Sequence, residues 1–257
     1  MRYLLIILFA LLQVVGFSQT PVLDIDFRDG SYIEKYSGLA GVNVGNSITR
    51  QEKGLAYAAR QANSGQITFP NLTALNFGTS AFSIVCAFRM GEFINVGSSS
   101  NVIFSNTSLN FYYGSSQILS MWVFNGADVT IINGFDWGAL NDGQYHLVVF
   151  TFDETTYKAY LDGVKESGES TTIRSISTAG SYYVGRDANT SRRSNSDILY
   201  IKAYDYALSA TERSKLQSEF ENSYPLAIEK HPRYNPHSKP TSLNEYGLVA
   251  AYNFIAN

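Results

Sequence analysis

Cysteine, proline, histidine and tryptophan are all scarce in this chain of 257 residues: Cys 1, Pro 6, His 3 and Trp 2. Charged residues make up only 16% and the net charge is -3. Each shortage excludes something. One cysteine cannot form an internal disulfide, so no disulfide scaffold holds the fold. It is Cys86, so no cysteine follows the N-terminal apolar run to take a lipid. A slightly acidic chain offers no broad attraction to nucleic acid or an anionic membrane. With so few histidines and one cysteine, the spacings of a Cys/His metal site are missing, as are a P-loop and a serine elbow. Beyond Phe17 no apolar run approaches the roughly 20 residues of a membrane span.

What the chain has is aromatics and short apolar runs. Tyr 18 and Phe 16 stand within a 45% hydrophobic composition, enough for a core. Aromatic and β-branched residues favour strands. Met1-Arg2, an apolar run of about 15 residues to Phe17 and a polar Ser18-Gln19-Thr20 read as a secretory signal over residues 1–19. An uncleaved anchor is the alternative. The expected location is secreted, periplasmic or cell-surface, with no stable membrane insertion after the signal is removed.

From Val22 to Asp205 short runs alternate with Gly, Asn, Asp and Ser. In Phe82–Met90, period-two alternation puts Phe82, Ile84, Cys86, Phe88 and Met90 on one face. Tyr145–Phe152 is apolar on both faces and predicts a buried central strand. Asp162-Gly163 predicts a hairpin turn, because a type I′ turn needs positive φ. Asn141-Asp142-Gly143 is a second turn signal. Further strands are expected at Val22–Phe27, Gln66–Phe69, Val102–Ser105, Leu109–Tyr113, Leu119–Phe124, Val129–Ile132, Tyr157–Leu161, Ser181–Val184 and Ile198–Ala203. Ser209-Ala210-Thr211-Glu212 is a capping box, and its helix should stop before Tyr224-Pro225. Residues 225–246 read as a linker, with four of the six prolines and both His231 and His237. Residues 247–257 hold one more apolar run, Gly247–Phe254.

Two blocks carry a family resemblance. One runs Asp142-Gly143-Gln144-Tyr145-His146 through Phe152 to Tyr160-Leu161-Asp162-Gly163. The other has Val184-Gly185, then Ile198 to Ala207-Leu208-Ser209 and Glu212. In this order and spacing they resemble the laminin-G-like, concanavalin A-like lectin/glucanase superfamily, over roughly Val22 to Phe220. The resemblance implies an all-β, concanavalin A-like jelly-roll β-sandwich with one short C-terminal helix, over residues 20–224. It also makes Gly247–Phe254 similar to an opening strand, so that residues 247–257 are an orphan strand, either starting a second module or folding back. Tyr145 departs from the tryptophan usual in the first block.

Relatives often hold calcium, and the resemblance implies Asp26, Asp29, Glu34 and Asp197 as ligands. Surface acids in turns are the other reading of these four residues, because Leu199 and Tyr200 stand where relatives carry acids. Glycosidase relatives use a pair of carboxylates. Asp24-Ile25-Asp26 is the nearest match and lacks the glutamate. The lyase relatives use a Gln-Ile-His strand, absent here. The expectation is therefore an exported, non-catalytic module. Its partner is a carbohydrate, a surface glycoconjugate or another surface protein. Sugar recognition pairs aromatic faces with planar polar groups, so Tyr112, Trp122, Trp137, Tyr182 and Arg186 are the candidate contacts, with Tyr113 and Tyr183 beside them because one of each adjacent tyrosine pair in a strand faces outward. A structural or adhesion protein of a cell envelope or phage-like particle is the alternative. A polysaccharide lyase or glycosidase ranks below both.

Overall fold

A computed structural model describes residues 20–29, 32–44, 56–58, 66–70, 73–90, 101–106, 108–113, 118–124, 128–136, 140, 144–165, 170–173, 175–176, 180–186 and 196–223. The signal, linker and C-terminal run lie outside these residues, as do Trp137 and the Asn141–Gly143 turn.

The strands in chain order are β1 (Leu23–Asp26), β2 (Val42–Val44), β3 (Ala56–Ala58), β4 (Gln66–Phe69), β5 (Phe82–Met90), β6 (Asn101–Ser105) and β7 (Leu109–Tyr113). They continue with β8 (Ile118–Phe124), β9 (Asp128–Asp136), β10 (Tyr145–Phe152), β11 (Tyr157–Leu161), β12 (Val164–Lys165), β13 (Tyr182–Val184) and β14 (Ser196–Tyr204). Helix α1 spans Ala210–Ser223. One antiparallel sheet has the order β1-β14-β5-β10-β11-β12, with β3 also beside β14; the other runs β2-β4-β13-β6-β7-β8-β9. The all-β sandwich expected from the sequence is the fold.

Alternation explains the layering. Phe82, Ile84, Cys86 and Phe88 of β5 face the opposite sheet and are buried in the central core. So do Val148, Phe150 and Phe152 of β10, paired with β5 in register. From the second sheet come Phe69, Phe104, Phe111, Met121 and Tyr182. Aromatic edges tie the layers: Phe111 meets Phe150 with ring centroids 4.8 Å apart and Phe88 at 5.9 Å. Gly41 sits where a Cβ would lie 2.5 Å from Ile67 Cγ2 and 2.7 Å from Phe69 Cζ, so only glycine lets this loop lie against β4.

The other face of β5 and β10 is apolar too. Val85, Ala87, Tyr145, Leu147 and Val149 pack with Tyr160, Leu199, Tyr200, Tyr204, Leu208 and Phe220 in a second buried cluster. Helix α1 supplies Phe220 and covers the first sheet from outside. Its capping box forms as expected: Ser209 N–H donates to Glu212 Oε2 at 2.7 Å and Glu212 N–H donates to Ser209 Oγ at 3.3 Å. Ser83 fixes the helix entry, donating to the Tyr206 carbonyl and accepting from Leu208 N–H, both at 2.9 Å. The Arg213 guanidinium carbon lies 3.8 Å from the Tyr160 ring centroid.

Candidate ligand face

The two outer faces of the sandwich differ. That of the first sheet is apolar and capped by α1. That of the second carries a row of polar and aromatic side chains across five strands. Thr68 of β4 stands opposite Tyr183 of β13, which stands opposite Ser105 of β6. Ser105 pairs with Asn110 of β7, and Asn110 with Trp122 of β8. Directly paired residues share a face, and five strands give the row a span of roughly 19 Å. Ser105 and Asn110 are buried, whereas Thr68, Tyr183 and Trp122 are half-buried. The arrangement is a buried polar floor with aromatic side chains at its accessible margins.

Hydrogen bonds hold that floor. Ser105 Oγ donates to the Arg186 carbonyl at 2.8 Å, so the chain leaving β13 passes over the row. Asn106 Oδ1 accepts from Ser108 N–H at 2.8 Å and Leu109 N–H at 2.5 Å, closing the β6–β7 hairpin. Oriented to satisfy its surroundings, the Asn110 amide nitrogen donates to the carbonyls of Leu109 and Asn106. Gln66 Nε2 donates to Thr68 Oγ1 at 2.9 Å beside them. These bonds offset the cost of burying polar groups and fix their orientation.

The sequence candidates divide. Trp122 lies in the row, and the Arg186 main chain crosses it. Tyr112 occupies the adjoining register position, opposite Val102 and Ser120. Tyr182 needs correction. It is fully buried, its ring stacks on Phe104 at 5.4 Å, and burial pushes its phenol well above the ordinary range, against a lowering hydrogen bond with Asn106. It builds the core, and its neighbour Tyr183 is the one that faces outward. Trp137 lies outside the described residues. Tyr183 is among the sequence candidates as the partner of Tyr182 in an adjacent pair; sequence reasoning missed Asn110, Ser105 and Thr68. Alternation within Tyr182-Tyr183 puts one of the pair outward, but the cross-strand register that assembles the row is not written in any single segment.

The calcium set does not fit an ion at the two members whose side chains are described. Glu34 is buried; its carboxylate accepts from Asp24 N–H at 2.9 Å, Tyr36 N–H at 3.2 Å, and Ser37 N–H and Oγ at 2.5 Å. Asp26 receives both Nε (2.7 Å) and Nη2 of Arg28. Among the described residues no group of three or more His, Cys, Asp or Glu side chains is placed to hold a metal. For Asp29 and Asp197 only the backbone is described: Asp29 ends a 3-10 turn (Phe27–Asp29) and Asp197 stands opposite Tyr57 and Arg89.

The chemically reactive candidates are also committed elsewhere. Asp24 is buried next to Lys202, and burial raises its carboxyl, opposed by Lys202 and Lys35. His146 Nδ1 lies 2.7 Å from Asp162 Oδ2, and Asp162 Oδ1 accepts from Leu147 N–H at 2.9 Å. This pair secures the hairpin in which Asp162 and Gly163 both take positive φ, 48° and 79°. Cys86 is buried, which pushes its thiol well above the ordinary value and keeps it protonated. A cleft of about 250 Å³ beside α1 is lined by Arg28, Tyr200, Lys202, Leu216, Glu219 and Phe220. Arg28, held by Asp26, and Lys202 both lie against the Tyr200 ring, at 4.8 and 5.2 Å from its centroid.

Solved structures with the same fold are mostly binding domains. The binding domain of botulinum neurotoxin DC in complex with rat synaptotagmin II is 11% identical, with TM-score 0.58, and the match covers 77% of this chain and 51% of that one. A botulinum neurotoxin type C structure, described for cell entry dependent upon interaction with two ganglioside molecules, is 14% identical with TM-score 0.57, covering 78% and 51%. The Trypanosoma rangeli sialidase in complex with the inhibitor DANA is 13% identical with TM-score 0.54, covering 76% and 32%. The chain spans about half the length of the neurotoxin chains it matches, so the likeness is one of fold. No curated protein matches by sequence. The sequence profile of the concanavalin A-like lectin/glucanases superfamily matches residues 61–212, more than half of the chain. That span runs from before β4 into α1 and takes in both sheets. The chain belongs to the concanavalin A-like lectin/glucanase superfamily.

Proposed function

We propose that this is an exported, non-catalytic binding module that holds a carbohydrate on the outer face of its second sheet. The observation that carries the reading is the Thr68–Tyr183–Ser105–Asn110–Trp122 row. Half-buried aromatics offer apolar faces to the C–H side of a sugar ring, and fixed amide and hydroxyl groups offer hydrogen bonds to its hydroxyls. The opposite outer face is covered by α1, whereas on the second sheet Thr68, Tyr183 and Trp122 keep partial exposure around the buried Ser105 and Asn110. The non-catalytic part rests on Asp24 and Asp26: one is buried and the other is held by Arg28. The signal-like residues 1–19 support a secreted, periplasmic or cell-surface location.

A panel of oligosaccharides, tested by titration calorimetry against the wild type and a Tyr183→Ala/Trp122→Ala double variant, tests this. At least one glycan should bind, and the double variant should lose more than tenfold in affinity while its circular dichroism stays unchanged. A panel without hits, or a variant that binds as well as wild type, contradicts the reading. A contact with another surface protein is the second reading. Ile33, Tyr36 and Val42 favour it, being exposed at 49%, 47% and 60% in the stretch that ends in edge strand β2.

A further inference from the structure

We propose that the sugar held on this face carries an anionic group and that Arg186 pairs with it. The inference rests on the carbohydrate reading above and narrows it to one ligand class. Its basis is the behaviour of the arginines. Among those whose side chains are described, Arg28 is bound to Asp26, Arg213 donates to the Leu208 carbonyl at 2.5 Å and covers Tyr160, and Arg89 lies 4.8 Å from the Tyr145 ring centroid. Arg186 differs. It is half-buried, its Nε is buried with no hydrogen-bond partner, and no described carboxylate lies within ion-pair distance. A buried donor left unpaired is costly, and a guanidinium more so than a neutral group.

Its place in the fold says what would satisfy it. Ser105 Oγ holds the Arg186 carbonyl over the polar row, adjacent to Tyr183. The described members of that row and its neighbours, Gln66, Thr68, Tyr183, Ser105, Asn110, Ser120 and Trp122, include no acid. Among the described residues its guanidinium therefore has no counter-ion, and its main chain is held against the neutral hydrogen-bonding groups and aromatic rings of the row. A guanidinium presents donors in a planar fork that fits two oxygens of one acceptor group. A sugar bearing a carboxylate or a sulfate supplies both that acceptor and the hydroxyls and ring face that the rest of the row suits.

Binding of the full chain to polygalacturonate, dextran sulfate and neutral dextran tests the inference, with wild type, Arg186→Met, Arg186→Lys and Tyr183→Ala. Matching melting temperatures would verify that the variants fold. The wild type should bind at least one anionic polymer at least tenfold more tightly than dextran, and 1 M NaCl should shrink the gap. Arg186→Met should abolish that preference, bringing the anionic polymer down to the dextran level. Arg186→Lys, with the charge but not the fork, should fall between. A preference for polygalacturonate identifies the group as carboxylate, and one for dextran sulfate as sulfate. Equal binding of dextran, or an anionic preference that survives Arg186→Met, overturns the inference; loss on Tyr183→Ala would then still uphold the face. Binding to none of the three polymers overturns this inference, and the glycan panel then decides the face reading separately.

Discussion

Glu34 illustrates how much one side chain organises. The sequence offered it as a calcium ligand; the fold uses both its oxygens to gather the amides of Asp24, Tyr36 and Ser37 and the Ser37 hydroxyl. Burial alone would raise its carboxyl, but these hydrogen bonds outweigh it and hold the group below its ordinary value of 4.5. A carboxylate favoured in the folded state stabilises fully above that ordinary value. The contribution is lost as pH falls through the lowered folded value. Glu34→Gln should therefore cost about 2 kcal/mol at neutral pH. In urea titrations the gap to wild type should narrow below pH 4.5. A gap independent of pH would show that the charge is immaterial. Asp162 has a similar double role, with a positive φ that Asp tolerates and two oxygens tied to His146 and Leu147. Asp162→Ala should destabilise by about 2 kcal/mol, from lost hydrogen bonds and left-handed strain on a Cβ-bearing residue. An unchanged urea midpoint would contradict this.

At the scale of elements, the long strands and the helix were legible because each has a strong local signature. The alternation of β5, the unbroken apolar run of β10, the Asp162-Gly163 turn and the capping box each state their conformation within a dozen residues. What stayed hidden was short. β2, β3 and β12 are two or three residues long and are defined by their partners β4, β14 and β11 rather than by their own sequence. β9 extends beyond the expected Val129–Ile132 at both ends because β8 pairs with it along its length. Helix α1 was legible as a helix, but its task was not. Most of its surface is polar; its contribution is to place Phe220 on the apolar outer face of the first sheet. Phe220→Ala should cost about 3 kcal/mol and increase binding of a hydrophobic dye as that face opens. A variant as stable as wild type, with no added dye binding, would show that α1 is dispensable as a cover.

At the scale of the molecule, the abundance of aromatics proved a poor guide to where a ligand sits. Phe27, Phe69, Phe82, Phe88, Phe104, Phe111, Phe150, Phe152, Tyr157 and Tyr182 are all fully buried, so much of the tyrosine and phenylalanine builds the sandwich. The candidate site emerged from register instead. Five residues from five strands form one row, and composition could indicate neither their alignment nor which outer face α1 covers. Fold and family were readable because the Tyr145–Gly163 and Ile198–Glu212 blocks are contiguous. The ligand face was only partly readable because it is assembled across strands. The placing of the ligand on the outer face of the second sheet, away from α1, is the central claim, and backbone amide shifts of the isotopically labelled protein during titration with a bound glycan test it most directly. Shifts should cluster at Thr68, Ser105, Asn110, Trp122 and Tyr183, with Ala210–Ser223 unmoved. Shifts centred on α1 and the cleft at Tyr200 and Lys202, with the second sheet silent, would contradict it.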